Sequence, residues 1–368
     1  MNFIRPFIRE GMLALNLVVL YGGKSTEHEV SVHSAQTVCR LLAQQKDKYT
    51  VYPVFISKEG YWFLQSSCGP QTPADLPITP VLRPGVHLAA LDGSWSLRAD
   101  VVFPVLHGTN CEDGTMQGFL ETLQVPYVGC GVLASAIGMD KEIAKLIARE
   151  TGAPVLPYRV VSKGKAYDQK ELENWAVQTG LPVFVKPVRL GSSVGVRKVK
   201  DVSQLNDAVK FALRFDTDVM IEKGVDHARE IFCAIYGDGE TVKSSACGEL
   251  RHLAGEFFDY EAKYITAGGC ETKVPADLPE QTAQKMRQDS ERIFRALRGS
   301  GLARVDFLMD KNGAYYFSEI NTLPGMSETS LFPQLFEACG EDYTAILNRL
   351  IEMALVRHKQ KETLAFSR

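Results

Sequence analysis

The chain has 368 residues, more than one ordinary hydrophobic core holds, so two or three domains are expected. With 45% apolar and 23% charged residues, it has the composition of a soluble globular protein. The net charge of −3 argues against nucleic acid or an anionic membrane as partner, because both select basic surfaces.

Arg5 and Arg9 precede an apolar stretch, Leu13 to Tyr21, as in a signal peptide. The stretch is short, contains Asn16 and lacks an A-x-A cleavage site, so secretion is not expected. No apolar run reaches the roughly 20 residues of a membrane span. Residues 1–12 read as an extension, with Met12 an alternative start. The eight cysteines form no C-x-x-C pair and no zinc spacing, which points to a reducing cytosol rather than a disulfide frame.

Leu15–Tyr21 is a buried strand that runs into Gly22-Gly23. A helix follows over Ser31–Leu42, then strands over Val51–Ile56 and Tyr61–Leu64. Residues 69–84 carry five prolines and read as an irregular insertion. Asp92-Gly93 marks a hairpin, and Asp100–Leu106 is a second buried strand with His107 at its carboxyl end. This alternation makes residues 13–130 an open α/β domain, with ligands expected near residues 22–27 and 107–114. A helix over Leu133–Glu150, strands Pro182–Val188, Val196–Lys200 and Asp218–Glu222, and a helix Val202–Phe215 make 131–224 an α+β module. Residues 225–360 supply strands Arg229–Tyr236 and Val242–Leu250, a helix Pro279–Leu297 and a hairpin at 302–321. An amphipathic helix, Asp342–His358, closes the chain with Ile346, Leu350, Ile351 and Leu355 on one stripe.

Three segments carry candidate chemistry. A strand delivers Lys186 into a Gly/Ser loop containing Gly191, Ser192, Ser193 and Gly195. Such a loop can surround phosphate oxygens with backbone N–H groups while the lysine supplies charge; a plain surface hairpin is the alternative. The Lys precedes the glycines, so this is not a Walker A loop. In the 302–321 hairpin, a two-residue turn at Lys311-Asn312 sets Arg304 opposite Glu319 and Asp306 opposite Phe317. Arg304, Asp306, Glu319 and Asn321 then share one face, and any even loop preserves this. Their oxygens suit Mg²⁺ or Mn²⁺; a cross-strand Arg304–Glu319 salt bridge is the alternative. The third segment, Gly22 to Ser31, and the polar loop His107–Gly114 each follow a buried strand and are ambiguous alone.

Taken together, GGKSTEHEVS, HGTNCEDG, MDK (139–141), VKPVRLGSSVG, FFDYEAKY (257–264), ARVDF (303–307) and EINTLPGMSETSLFP (319–333) resemble the D-alanine–D-alanine ligases, over residues 15 to 358. The resemblance implies an ATP-grasp fold, α/β (α+β), of three domains: 13–130, 131–224 and 225–360. It implies ATP as substrate, two Mg²⁺ or Mn²⁺ ions, D-alanine as the joined amino acid, a role in peptidoglycan precursor synthesis, a cytoplasmic location and a homodimer. Lys141, Lys186, Ser193 and Lys263 would face the phosphates. Glu222, Lys223 and Val225 would border the adenine, and Glu230 the ribose. Asp306, Glu319 and Asn321 would hold the metal. Glu27, with Ser192 and Tyr264, would take the ammonium of the first D-alanine, beside His107. Arg304 and the Gly325 N–H would stabilise the oxyanion, and Ser330 and Leu331 would shape the second D-alanine site. Tyr264 favours the dipeptide over a depsipeptide.

Two positions depart from the family pattern. Cys111 stands where relatives carry Gly, and Glu222–Glu230 is one residue longer. D-serine or D-lactate as second substrate is the alternative within the fold. A NAD(P) oxidoreductase lacks its glycine fingerprint here, and a degenerate binding protein would have lost part of the Lys186, Arg304, Asp306, Glu319 and Asn321 set.

Overall fold

The computed structural model describes residues 14–365 apart from 84, 240 and 253–269, and three sheets organise them. The first contains β1 (Leu15–Gly22), β2 (Tyr49–Ile56), β3 (Trp62–Leu64), β4 (Leu76–Arg83), β5 (Val86–Ala90), β6 (Ser96–Leu97) and β7 (Val101–Val105), in the order β6-β5-β4-β3-β2-β1-β7. β1 pairs in parallel with β2 and β7. Leu17, Val19 and Tyr21 enter one core with helix α1 (His28–Ala43), and Val18 and Leu20 enter another on the opposite face. Burial on both faces is why β1 is apolar without alternation.

The proline-rich stretch 69–84 is not wholly irregular, because β4 lies within it. Pro77 and Pro80 are paired on either side, and the register shifts between Pro80 and Arg83, so the ladder interruption falls where proline offers no N–H. Asp92-Gly93 does turn β5 into β6. Against the expectation of free thiols, Cys39 and Cys68, 29 residues apart in sequence, are joined as a disulfide, because α1 and the segment after β3 bring them together.

The expected helix over 133–150 is two helices, α2 being Thr115–Thr122, α3 Val132–Met139 and α4 Lys141–Glu150. Asp140 breaks the run. Its backbone is extended, and its carboxylate accepts the N–H groups of Glu142 and Ile143 as an N-cap. The break places Lys141 at the first turn of α4.

The second sheet joins β8 (Tyr158–Ser162), β9 (Val183–Pro187), β10 (Arg197–Val199) and β11 (Asp218–Lys223) in the order β10-β9-β11-β8. Helices α5 (Gln169–Thr179) and α6 (Leu205–Ala212) bury Val183, Val185, Val219 and Ile221 on one face. By alternation Lys186 and Glu222 project from the other. The third sheet has the order β14-β13-β12-β15-β16: β12 is Arg229–Gly237, β13 Val242–His252, β14 Cys270–Lys273, β15 Gly301–Met309 and β16 Tyr315–Asn321. Ile231, Cys233 and Ile235 pack with helix α7 (Glu280–Ala296) on one side. Phe232, Ala234 and Tyr236 pack with α8 (Leu331–Glu337) and α9 (Tyr343–Glu362) on the other. On α9, Ile346, Leu350 and Ile351 are buried and Leu355 packs against them. Among the described residues, no helix is long and apolar enough to cross a membrane.

Candidate active site

Parallel pairing puts the carboxyl ends of β1 and β7 side by side, so the loops after Gly22 and Val105 meet. A Cβ on Gly108 would lie 2.5 Å from Ser25 Oγ and 3.5 Å from Glu27 Oε2, so only glycine allows this approach. Glu27 also reaches the Gly/Ser loop of the second sheet, where its carboxylate accepts a short hydrogen bond from Ser192 Oγ. Ser192 and Ser193 both take positive φ, 53° and 58°, which curls that loop toward Glu27. Burial raises the Glu27 carboxyl above its ordinary value, Arg304 and Lys141 oppose this, and Glu319 adds to it.

The lysines come from separate elements. Lys141 Nζ donates to Leu190 O at 2.6 Å and stands 3.4 Å from Glu319. Lys186 Nζ donates to Glu222 Oε2 at 2.7 Å. The other oxygen of Glu222 lies 2.6 Å from Nζ of Lys145, which is fully buried and also donates to Phe317 O at 2.9 Å. Burial alone would raise the Glu222 carboxyl, but the two lysines outweigh it and hold it below the ordinary value. Burial pushes the Lys145 ammonium down to about 8.

The hairpin reaches its expected face by a different register. Asp310 and Ala314 are bonded across a three-residue turn, an odd count that alone would put the two strands' polar residues on opposite faces. A bulge at Ser318 restores the phase, since Phe307 pairs with Phe317 but Asp306 pairs with Glu319. Arg304 therefore faces Asn321, not Glu319. The Arg304 guanidinium grips Asp306 at both oxygens, each at 2.7 Å, and Asn321 Nδ2 donates to Asp306 Oδ2 at 3.1 Å. Burial pushes the Asp306 carboxyl up to about 6, with Arg304 opposing and Glu319 and Glu230 adding. Among the described residues, no three carboxylate, imidazole or thiol groups converge as a metal cluster; this group offers two carboxylates and a carboxamide.

His107 is buried, and its ring is engaged inside the protein. Nδ1 lies 2.7 Å from Leu323 O and Nε2 lies 3.2 Å from Ser34 Oγ. The carbonyl can only accept, so the partners assign the proton to Nδ1. His107 thus ties β7 to α1 and to the segment after β16. Burial lowers its pKa to about 4 from 6.5. Between those values the unfolded chain binds a proton that the folded chain refuses, so this group's contribution to stability falls as pH drops from 6.5 toward 4. From pH 7.5 to pH 5 the loss due to His107 is about 2 kcal/mol. Urea unfolding at both pH values should show His107→Gln losing correspondingly less; equal losses would show that the ring titrates normally.

After β16, a Cβ on Gly325 would fall 2.8 Å from Ser330 Oγ, so glycine permits that contact. Ser330 Oγ also lies 2.7 Å from Ser327 Oγ and stands at the N-terminus of α8, just before Leu331. Lys223 ends β11, Val225 follows it half-buried, and Glu230 lies on the β12 face that carries Asp306's neighbour Phe232. Lys263, Tyr264 and the rest of 257–264 lie outside the described residues.

Two residues were missed by sequence reading. Glu112 is buried, its carboxyl is pushed well above the ordinary value by burial, Glu27 and Glu319, and it lines a cavity of about 20 Å³ with Lys141, Gly191, Glu319 and Asn321. Its signal was only a polar loop after a buried strand. Lys145 had a usable signal, four residues from Lys141 and hence on the same helix face.

This assembly of loops and sheets is shared with known proteins. Sequence models described as D-ala D-ala ligase N-terminus and C-terminus match residues 16–130 and 147–352. A D-alanine–D-alanine ligase A of Bradyrhizobium diazoefficiens is 44% identical, covering 95% of this chain and 97% of that one. The solved D-alanine–D-alanine ligase of Coxiella burnetii superposes with a TM-score of 0.82 at 34% identity, covering 95% and 97% of the two chains. The VanG D-Ala:D-Ser ligase of Enterococcus faecalis does so with a TM-score of 0.80 at 30% identity, covering 93% and 99%. With both halves matched and near-complete coverage by relatives, the chain belongs to the D-alanine–D-alanine ligase family.

Proposed function

We propose that the chain joins two D-alanines into D-alanyl-D-alanine, converting ATP to ADP and phosphate. The observation that carries this is convergence: Glu27 accepts a hydrogen bond from Ser192 of the Gly/Ser loop, and Lys141 and Glu319, 3.4 Å apart, line one small cavity with Gly191 and Asn321. One carboxylate for an ammonium, cations for phosphates and a guanidinium for an oxyanion then share a single cleft.

A carboxylate is a poor acceptor for an amine. Transfer of the γ-phosphoryl group to the first D-alanine gives an acyl phosphate, whose phosphate leaves when the second amine attacks. Glu27, oriented by Ser192, holds the first ammonium, and His107 braces the wall behind it. Lys141 and Lys186 face the phosphates with the Ser193 loop. Glu222 has its carboxylate committed to lysines, so it borders the adenine through its backbone, beside Lys223 and Val225, with Glu230 toward the ribose. Arg304 and the Gly325 N–H receive the tetrahedral oxyanion. Ser330 takes the second carboxylate, and Leu331 forms its apolar wall. Lys263 and Tyr264 belong to this reading through the sequence alone.

Hard oxygen donors at Asp306, Glu319 and Asn321 fit magnesium or manganese by their chemistry, and a divalent cation there would share Asp306 with Arg304 and Glu319 with Lys141. Bound there, the cation would neutralise phosphate charge. A homodimer and a cytoplasmic location belong to the same reading, and sedimentation of the purified chain tests the first.

The deciding assay is phosphate release with ATP, magnesium and D-alanine, with products separated by chromatography. Release that depends on D-alanine and yields the dipeptide is expected. Release with D-alanine only when D-serine is added would move the second substrate to D-serine, the pairing named for the Enterococcus relative. No release with any of these sinks the ligase reading.

A further inference from the structure

We propose that Lys145 is a positioning residue for ATP binding: by retaining the Glu222 carboxylate, it releases Lys186 to the phosphates. The proposal rests on the reading of Lys186 as a phosphate ligand. Lys145, Glu222 and Lys186 form a row, the first two buried, in which each carboxylate oxygen meets its own lysine, at 2.6 and 2.7 Å. The two lysines differ in what they can do. The Lys145 side chain is 0% exposed, on a helix whose Ala144 and Ala148 are packed into the third sheet's core, and it is also tied to Phe317 O. The Lys186 side chain is 12% exposed, on the open face of β9 just before the Gly/Ser loop. Only Lys186 can turn away.

When phosphates arrive, Lys186 must exchange a buried carboxylate for them. A buried carboxylate stripped of every cation is strongly destabilised. Lys145 prevents this, because Glu222 keeps one cation after Lys186 leaves. Without Lys145, Glu222 has only Lys186 from this row, and phosphate must compete with a buried ion pair. Lys145 also ties α4 to both β11 and β16, so a purely architectural role is the rival explanation.

The two roles separate in ATP binding by calorimetry, with magnesium, on the full chain. Lys145→Met should weaken ATP binding at least tenfold, and Lys145→Met/Glu222→Gln should restore it to within about threefold of the parent, because the competing carboxylate is gone. Lys145→Arg, which keeps the cation, should stay closer to the parent than Lys145→Met. ATP binding by Lys145→Met within twofold of the parent would overturn the proposal. So would weakening that persists undiminished in the double variant. If Lys145→Met does not fold, as judged by thermal unfolding, Lys145→Gln, which removes the cation but keeps a polar end for Phe317 O, takes its place: the same tenfold weakening of ATP binding is expected, and binding within twofold of the parent overturns the proposal. A parent that binds ATP but makes no dipeptide would sink the ligase reading and leave this test intact; a parent that binds no ATP sinks both.

Discussion

Replacing Arg304 with Met should lower kcat by about 100- to 1,000-fold, the loss typical of removing one oxyanion donor. The guanidinium is well placed for that work. It sits over the Phe232 ring, 5.2 Å from its centroid, and two of its five N–H donors are fixed on Asp306. The planar fork is therefore held in one orientation before substrate arrives. Lys in its place would carry charge without the fork, so Arg304→Lys should recover only part of the rate. A second effect must be separated from the first. Asp306 is buried and already pushed up to about 6 with Arg304 beside it. Without the guanidinium its carboxyl rises further, which weakens its hold on a cation. That component should be overcome by raising magnesium, whereas the oxyanion component should not. A kcat within tenfold of the parent at saturating magnesium would remove Arg304 from the oxyanion role.

How far the sequence foretold this arrangement depends on the kind of signal. β1 and β7 were legible because burial on both faces leaves an unbroken apolar run. The closing helix was legible from its stripe. The face shared by Arg304, Asp306, Glu319 and Asn321 was read through a two-residue turn, but it exists because a three-residue turn and a bulge at Ser318 compensate. Nothing in the local sequence announces a bulge whose purpose is to re-aim two side chains. The break at Asp140 was hidden because the apolar run of α3 leads straight into the periodic pattern of α4, although the Asp-Lys-Glu junction is a usable capping signal. Strand β4 was obscured by its own prolines. The Lys145–Glu222–Lys186 row was not legible, since β9 and β11 become neighbours only in the folded second sheet and only the packing of α4 brings Lys145 to Glu222. His107 was expected beside the first substrate; that its ring nitrogens engage Leu323 O and Ser34 Oγ could not be read from its place after a buried strand.

Glu27→Gln should raise KM for the first D-alanine by roughly 30- to 4,000-fold, the range for removing one partner of a desolvated charge pair. The change keeps shape and keeps an oxygen for Ser192 Oγ, so it isolates charge. Desolvation makes that charge matter: burial already holds the Glu27 carboxyl above its ordinary value, and an arriving ammonium would bring it back down. The surrounding backbone leaves little room for adjustment. A Cβ on Gly191 would lie 3.6 Å from one Glu27 oxygen, and one on Gly108 3.5 Å from the other. Glu27→Asp is the complementary probe. It keeps the charge but withdraws it by one methylene, away from Ser192 and away from the ammonium, so it too should raise the first KM. The second D-alanine is proposed to meet Ser330 and Leu331 instead, so its KM should move little in either variant. Initial rates over a wide D-alanine range resolve the two constants. A rise confined to the second constant would place Glu27 at the wrong substrate. A parallel rise in both would mean that it holds the Gly/Ser loop in place through Ser192 rather than binding an ammonium, and Ser192→Ala would then reproduce the whole effect.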